Sequence, residues 1–267
     1  MQYKLIVSDF DNTLCNSEKI VSKRTKNAIA RFTESGGLFV ICTTRPYAGI
    51  AQIAKDLGLK DEIIANQGSS IRRLEGDEPV KLTRFTPEEA SEITKFFDRR
   101  TQHLFIAGDF DVFAKKHDVF TDVAITQTGY KIKVSSNIVD ESSRTDAAQI
   151  LAGGYFPQYV QRLYDSAAKE FGQKYNIVLC DRLLMNITPK GVSKGDAIKY
   201  VAGLHGIEKE QIISFGDSDG DEPMFEFSGA GIAMGNATKN LKAAADAVIG
   251  PADEDGLAKF IEDSILK

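Results

Sequence analysis

The chain has 267 residues and 42% of them are apolar, enough for a sizeable packed core in one large or two ordinary domains. With 33 basic against 38 acidic residues the net charge is −5, which argues against a nucleic-acid scaffold. Cys15, Cys42 and Cys180 are widely spaced, form neither a C-x-x-C pair nor a disulfide framework, and point to a reducing compartment. The N-terminal apolar run is too short for a signal peptide and is broken by Asp9. No stretch approaches the roughly 20 apolar residues of a membrane helix, so a soluble cytoplasmic protein is expected.

Residues 3–7 are a short apolar run with β-branched members, stopped by an acidic turn: a buried parallel strand. A helix follows with Ala28, Ile29 and Phe32 on one face, ending near Gly36-Gly37. Residues 38–42 read as a second strand. Ile50, Ile53, Ala54 and Leu57 give a helical stripe closed by Gly58, and residues 62–65 read as a third strand. This alternation predicts an α/β fold with a doubly wound, Rossmann-like parallel sheet.

The character changes near Ser70. Residues 71–74 and 80–82 flank EGDE as a hairpin, and Thr86-Pro87-Glu88-Glu89 is a capping box opening a helix with Ile93, Phe96 and Phe97. Residues 103–107 and 112–115 are strand-like around the turn Gly108-Asp109-Phe110-Asp111, while residues 140–149 are polar with little pattern. A helix over 159–171 and strands at 177–180 and 184–187 follow. After Lys190 the first style returns, with a helix over 196–204, strands at 212–215 and 230–233, and a last helix from Gly256. The expected organisation is a discontinuous core, residues 1–82 and 186–267, interrupted by an α+β cap domain, residues 83–185.

The stretch ISFGDSDGDEPMF, residues 213–225, fits three patterns. As a G-x-S-x-G nucleophile elbow it needs a His after Ser218, but His103, His117 and His205 all precede it. As a calcium loop counted from Asp217 it needs Gly at position 6 and Glu at position 12, where Glu222 and Ser228 stand. There remain a polar turn in which Asp221 caps the next helix, and a metal-binding carboxylate at a strand tip.

Other strand tips favour the second. SDFDNTL places Asp9 and Asp11 directly after the first strand, and in a parallel sheet all strand C-termini open on one edge. Asp9, Asp11 and Asp217 can converge there. Three close carboxylates repel unless a cation sits among them, and hard oxygen ligands favour Mg²⁺. VICTTR adds the Thr43 and Thr44 hydroxyls and Arg45, and GVSKGDA adds Lys194 at a helix start, groups that suit a phosphoryl group.

DFDNT matches the D-x-D-x-T motif of the haloacid dehalogenase superfamily, and Thr43, Lys194 and GDSDGD fall at its second, third and fourth motifs. The spacing of the last two, MGNA at 234–237, EDGLAKFI near the end and the insert before Lys194 resemble the Cof-type sugar-phosphatase-like branch with a large α+β (C2-type) cap. The resemblance implies a phosphatase in which Asp9 is the nucleophile and Asp11 the acid and base. Mg²⁺ would be held by Asp9, the backbone carbonyl of Asp11, and Asp217. Thr43 and Lys194 would hold the phosphoryl oxygens, and Asp221, with Ser218 beside it, would orient Lys194 or a metal-bound water. Thr44, Arg45, Asn66 and Arg182 are expected at the substrate.

The chain departs from the family at four places. Gly220 replaces the usual Asn, with Asp219 or Ser218 left to substitute for it. Thr44 replaces a common Gly, Gln67 a common Asn, and Asn186 an acidic residue. The expected partner is a small phosphorylated metabolite, with no nucleic acid and no membrane, for a monomer or small homo-oligomer. A phosphosugar mutase and a catalytically weak metabolite-binding regulator are the alternatives.

Overall fold

A computed structural model describes residues 2–128, 131–180 and 182–267. The core begins β1 (Leu5–Ser8), α1 (Lys23–Glu34), β2 (Leu38–Ile41), α2 (Ala51–Asp56), β3 (Glu62–Ala65). β1 and β2 are buried at every position, which is why they read as continuous apolar runs rather than alternating ones. α1 starts where the Ser22 side chain accepts a hydrogen bond from the Thr25 N–H, and it buries Ala28, Ile29 and Phe32. β4 (Ser70–Arg73) and β5 (Lys81–Leu82) form the expected hairpin beside β3.

The inserted segment runs α3 (Pro87–Asp98), β6 (His103–Ala107), β7 (Val112–Ala114), α4 (Val119–Thr128), β8 (Ile132–Val134), α5 (Ile138–Arg144), β9 (Gln149–Gly153), α6 (Pro157–Phe171), β10 (Tyr175–Leu179) and β11 (Leu184–Pro189). Thr86 and Glu89 make both bonds of the capping box that starts α3. Its six strands form one sheet in the order β10-β11-β9-β6-β7-β8.

The chain then returns to the core with α7 (Lys194–Leu204), β12 (Ile212–Gly216), α8 (Glu222–Glu226), β13 (Ala230–Ala233), α9 (Lys239–Ala244), β14 (Ala247–Val248) and α10 (Gly256–Phe260). The core sheet has the order β14-β13-β12-β1-β2, with all neighbours parallel. β3 extends it through a parallel bridge between Cys42 and Ile64. The N-terminal strands, through Ala65, therefore build outward from β1 in one direction and the last part of the chain builds outward from β12 in the other. The sheet reverses at the β1/β12 pair, where an open α/β sheet forms its ligand crevice. α1 packs against α10, and α7 against α8.

The apolar core divides in the same way. One cluster joins residues of the first 74 positions to residues 197–261, and a second lies within residues 85–187. β11 belongs to the cap sheet through Pro189, so the expected junction at 186 falls inside this strand. The stretch 140–149 is less featureless than its polarity suggests. α5 is capped by the Asn137 side chain and buries only Ile138 and Ser142, while β9 is a central strand of the cap sheet, paired on both edges. A helix with so narrow a buried face leaves almost no periodic trace. Among the described residues, no helix is long and apolar enough to cross a membrane.

Candidate active site

Asp9 follows β1 and Asp217 follows β12, the two strands at which the sheet reverses. The Asp9 N–H donates to the Phe215 carbonyl at 2.9 Å, so the β1–β12 ladder holds the backbone up to the carboxylate itself. The chain then turns away through Phe10–Leu14, with Asn12 at φ 57°. That turn brings the Thr13 hydroxyl to 3.1 Å from Asp217 Oδ1.

Lys194 is the first residue of α7, a helix capped by the Ser193 side chain. Its ammonium donates to Asp9 Oδ1 and to Asp221 Oδ1, each at 2.6 Å, and only 3% of the residue is exposed. Two glycines allow this approach. Gly68 has φ +101° and packs on the start of α7, where a Cβ would meet the Ser193 carbonyl at 2.4 Å. Gly216 leaves room for Asp221, whose Cβ would lie 2.5 Å from a side chain there.

The alternative in which Asp221 caps the next helix does not hold: no side-chain capping bond reaches α8. Its carboxylate folds back instead. Oδ2 accepts from the N–H groups of Asp217 (3.0 Å) and Ser218 (2.9 Å) and from the Ser218 hydroxyl (3.1 Å). The reason is electrostatic: the buried Lys194 ammonium needs a second counter-charge, and Asp221 is fully buried beside it.

Asp9, Asp217 and Asp221 each bring an oxygen within 4.8 Å of the others and so could hold a metal ion. Burial raises the Asp9 carboxyl well above its ordinary value, and Asp221 and Asp217 add to this against the opposing charge of Lys194. Burial, then Asp221, pushes Asp217 up to about 7. Burial alone would depress Lys194, but Asp221 and Asp9 outweigh it and hold the amine charged. A cation bound among these three acids would offset their mutual repulsion. Because both Asp221 oxygens are already bonded, Asp9 and Asp217 are the better placed side-chain ligands.

The carboxylate of Asp11 stands outside that cluster. Arg45 binds it with two bonds of 2.8 Å, and Lys19, at φ 64°, approaches at 2.9 Å. Burial would raise the Asp11 carboxyl, but Arg45 and Lys19 prevail and hold it below its ordinary value. Arg45 also lies over the Phe10 ring at 4.6 Å. Lys19 was missed in the sequence because nothing but its place after the motif marks it.

Asp9, Asp11, Lys19, Arg45, Lys194 and Asp217 line a cleft of about 640 Å³, shared with Thr44, Gln67, Ser218 and Gly220 of the core. The cap contributes Leu151, Cys180, Arg182 and Leu184. Arg182 therefore lies in the lining of the cleft. Thr43 is fully buried, and its hydroxyl accepts from the Arg45 N–H at 3.1 Å. Asn66 departs from expectation. It is fully buried, with Nδ2 donating to Asp109 Oδ1 (3.0 Å) and Oδ1 accepting from Gln149 (3.0 Å), so its amide is committed to the cap and does not line the cleft. Asp219 also turns away, to Thr238 and Asn240, whereas the Ser218 hydroxyl lies 3.6 Å from where a Cβ on Gly220 would stand.

This arrangement of carboxylates and lysine at a sheet reversal defines a hydrolase class. A sequence model described as haloacid dehalogenase-like hydrolase matches residues 6–261, and the chain belongs to that family. It is an enzyme of the phosphatase type. A putative phosphatase of Haemophilus influenzae is 28% identical over 265 residues, covering 98% of each chain. The 5-amino-6-(5-phospho-D-ribitylamino)uracil phosphatase YitU of Bacillus subtilis is 24% identical, covering 97% of this chain and 96% of that one. Among solved structures, a haloacid dehalogenase-like hydrolase from Bacteroides thetaiotaomicron superposes with a TM-score of 0.84 at 25% identity, covering 97% of this chain and 98% of that one. A sugar phosphatase of the superfamily's subclass IIB gives 0.86 at 23% identity, covering 99% and 100%, a likeness of fold.

Proposed function

We propose that the protein is a Mg²⁺-dependent phosphatase that hydrolyses small phosphate monoesters, sugar phosphates above all, through an aspartyl-phosphate on Asp9. The observation that carries this reading is the buried Lys194 ammonium bridging Asp9 and Asp221 beside Asp217. The cleft of about 640 Å³ suits a metabolite rather than a macromolecule. Relatives named for a ribitylamino-uracil phosphate and for sugar phosphates support the same substrate size. Cys15 and Cys42, both buried free thiols, support a cytoplasmic location.

Asp9 attacks phosphorus in line, the ester P–O bond breaks, and Asp11, protonated from solvent once the bound ester has drawn Arg45 and Lys19 away, gives that proton to the departing oxygen. Water then attacks the phosphorus, Asp11 takes a proton from it, and the bond to Asp9 breaks to release phosphate. An arriving ester offers Arg45 and Lys19 a competing anion and so loosens their hold on Asp11. Lys194 and Thr43 hold the phosphoryl oxygens, and Asp221 orients Lys194. Mg²⁺, held by Asp9, Asp217 and the Asp11 carbonyl, would supply the charge that keeps both carboxylates ionised and offsets the phosphoryl group.

Acid quenching during turnover of a radiolabelled hexose phosphate by an Asp11→Asn variant tests this directly. Label should accumulate on the protein and vanish when Asp9→Asn is added. Turnover in the wild type with no label trapped on any variant contradicts the covalent route.

A further inference from the structure

We propose that Gln149, at the start of β9 in the cap, is a positioning residue for the loop that carries Thr43, Thr44 and Arg45; this rests on the phosphatase reading above. Gln149 is 1% exposed and its side chain crosses from the cap sheet into the core. Its Nε2 donates to the Thr44 carbonyl at 2.8 Å and to Asn66 Oδ1 at 3.0 Å. Its Oε1 accepts from Asn186 Nδ2, on the neighbouring strand β11, at 2.6 Å.

The partners leave each amide one orientation. A backbone carbonyl only accepts, so the atom of Gln149 facing Thr44 must be nitrogen. Its second hydrogen then goes to Asn66 Oδ1, which turns Asn66 Nδ2 toward Asp109 Oδ1 (3.0 Å) and the Gly108 carbonyl (3.3 Å), both acceptors. Asp109 is anchored in turn by Arg72 of β4 at 2.6 Å, and that guanidinium lies near the rings of Tyr47 and Phe110. The GDFD turn of the cap, which resembles a catalytic motif, is thus the outer anchor of a buried polar chain. The chain runs from Asn186 through Gln149 to Asn66 and Asp109.

The inner branch of this chain bears on the reaction. The Thr44 carbonyl sits between Thr43, whose hydroxyl accepts from the Arg45 N–H, and Arg45, whose side chain grips Asp11. The Asn66 N–H donates to the Arg45 carbonyl, and the Gln67 N–H to the Thr43 carbonyl, so the two core loops move together. Asn66 and Gln67 both have positive φ, 49° and 59°, a conformation that non-glycine residues hold only when their surroundings impose it. Gln149 ties both loops from the cap side. Docking of the cap and placement of the phosphate-holding loop are therefore one event.

The test compares wild type, Gln149→Met, Gln149→Glu and Asn186→Ala with p-nitrophenyl phosphate and a hexose phosphate. Thermal unfolding verifies that each variant is folded. Gln149→Met fills the space but donates nothing, and Gln149→Glu keeps the acceptor while losing both donors. Both should lower kcat by about tenfold or more on both substrates, with KM changed far less, because an interaction that aligns the reacting groups is lost. Asn186→Ala leaves the donors in place and should give a smaller loss in the same direction. A rise in KM for the hexose phosphate alone, with kcat intact on p-nitrophenyl phosphate, assigns Gln149 to cap packing and overturns the proposal. So does wild-type kcat in a folded Gln149→Met. If the wild type itself releases no phosphate, the parent reading fails instead.

Discussion

The two walls of the cleft are built differently. The core wall gathers opposite charges at close range: Asp9, Asp217 and Asp221 around Lys194, with Asp11 between Arg45 and Lys19. All but Lys19, which lies in a turn before α1, stand past strand ends or at helix starts, where side chains are free of the sheet ladder. Among the described residues, the cap wall is mostly apolar, with Leu151 and Leu184 from its sheet and Arg182 as its charged member. A wall of fixed charge suits the phosphoryl group common to every substrate. A sparser wall with one cation suits the part that varies. On this account the reaction belongs to the core and discrimination to the cap.

The comparison can be broken by substitutions on either wall. Lys194→Met should cost the most, a fall in kcat of about 10²–10³ on every ester. It should also lower Tm, since Asp9 and Asp221 lose the buried charge between them. Arg182→Ala should act selectively, with kcat/KM for the preferred metabolite falling about 10- to 100-fold, the cost of one bond to a charged group. p-Nitrophenyl phosphate should be hydrolysed as before. An equal loss on all substrates would move Arg182 from the selecting wall to the reacting one.

Smaller effects follow from the carboxylate cluster. Asp217 has a pKa near 7 against an ordinary 3.8, so the folded, metal-free protein holds a proton that the unfolded chain releases. Its contribution is therefore favourable at low pH and lost as pH rises from about 4 to about 7. Tm of the metal-free protein, followed by calorimetry, should fall through that window. Mg²⁺ must displace the proton, so its affinity, measured by titration calorimetry, should rise by up to about tenfold per pH unit below 7 and then level off. Gly220→Asn should have the mildest effect. A Cβ there meets only Gln67 Nε2 and Ser218 Oγ, both at 3.6 Å, and φ is not left-handed. Stability should stay within about 0.5 kcal/mol, while Mg²⁺ binding tightens a few-fold.

The same contrast explains what the sequence disclosed. Asp9, Asp11, Thr43 and Asp217 could be singled out because parallel strands carry unbroken apolar runs that end beside residues with chemistry, and Lys194 because it opens a helix. Asp221 was legible as a neighbour of the site, but its backward fold was not, since that depends on Gly216 and on Lys194 arriving from the far side of the cap. Lys19 and Gln149 left no local signal. Lys19 reaches Asp11 through a turn at φ 64°, and Gln149 meets Thr44 across 105 positions of chain. Asn66 misled for a related reason: its place after β3 suggests the cleft, while the acceptors of the GDFD turn draw its amide to the cap. In the cap, β9 and α5 were missed because a strand paired on both sides and a helix with a narrow buried face show little periodicity.

The most direct test of the central claim is phosphate release from a panel of sugar phosphates and p-nitrophenyl phosphate, with Mg²⁺ and with EDTA, for wild type and Asp9→Asn. The account predicts release that requires the metal, varies with the sugar and falls at least about a thousandfold in Asp9→Asn. Release that survives EDTA or the loss of the Asp9 carboxylate would contradict it, as would no release from any ester.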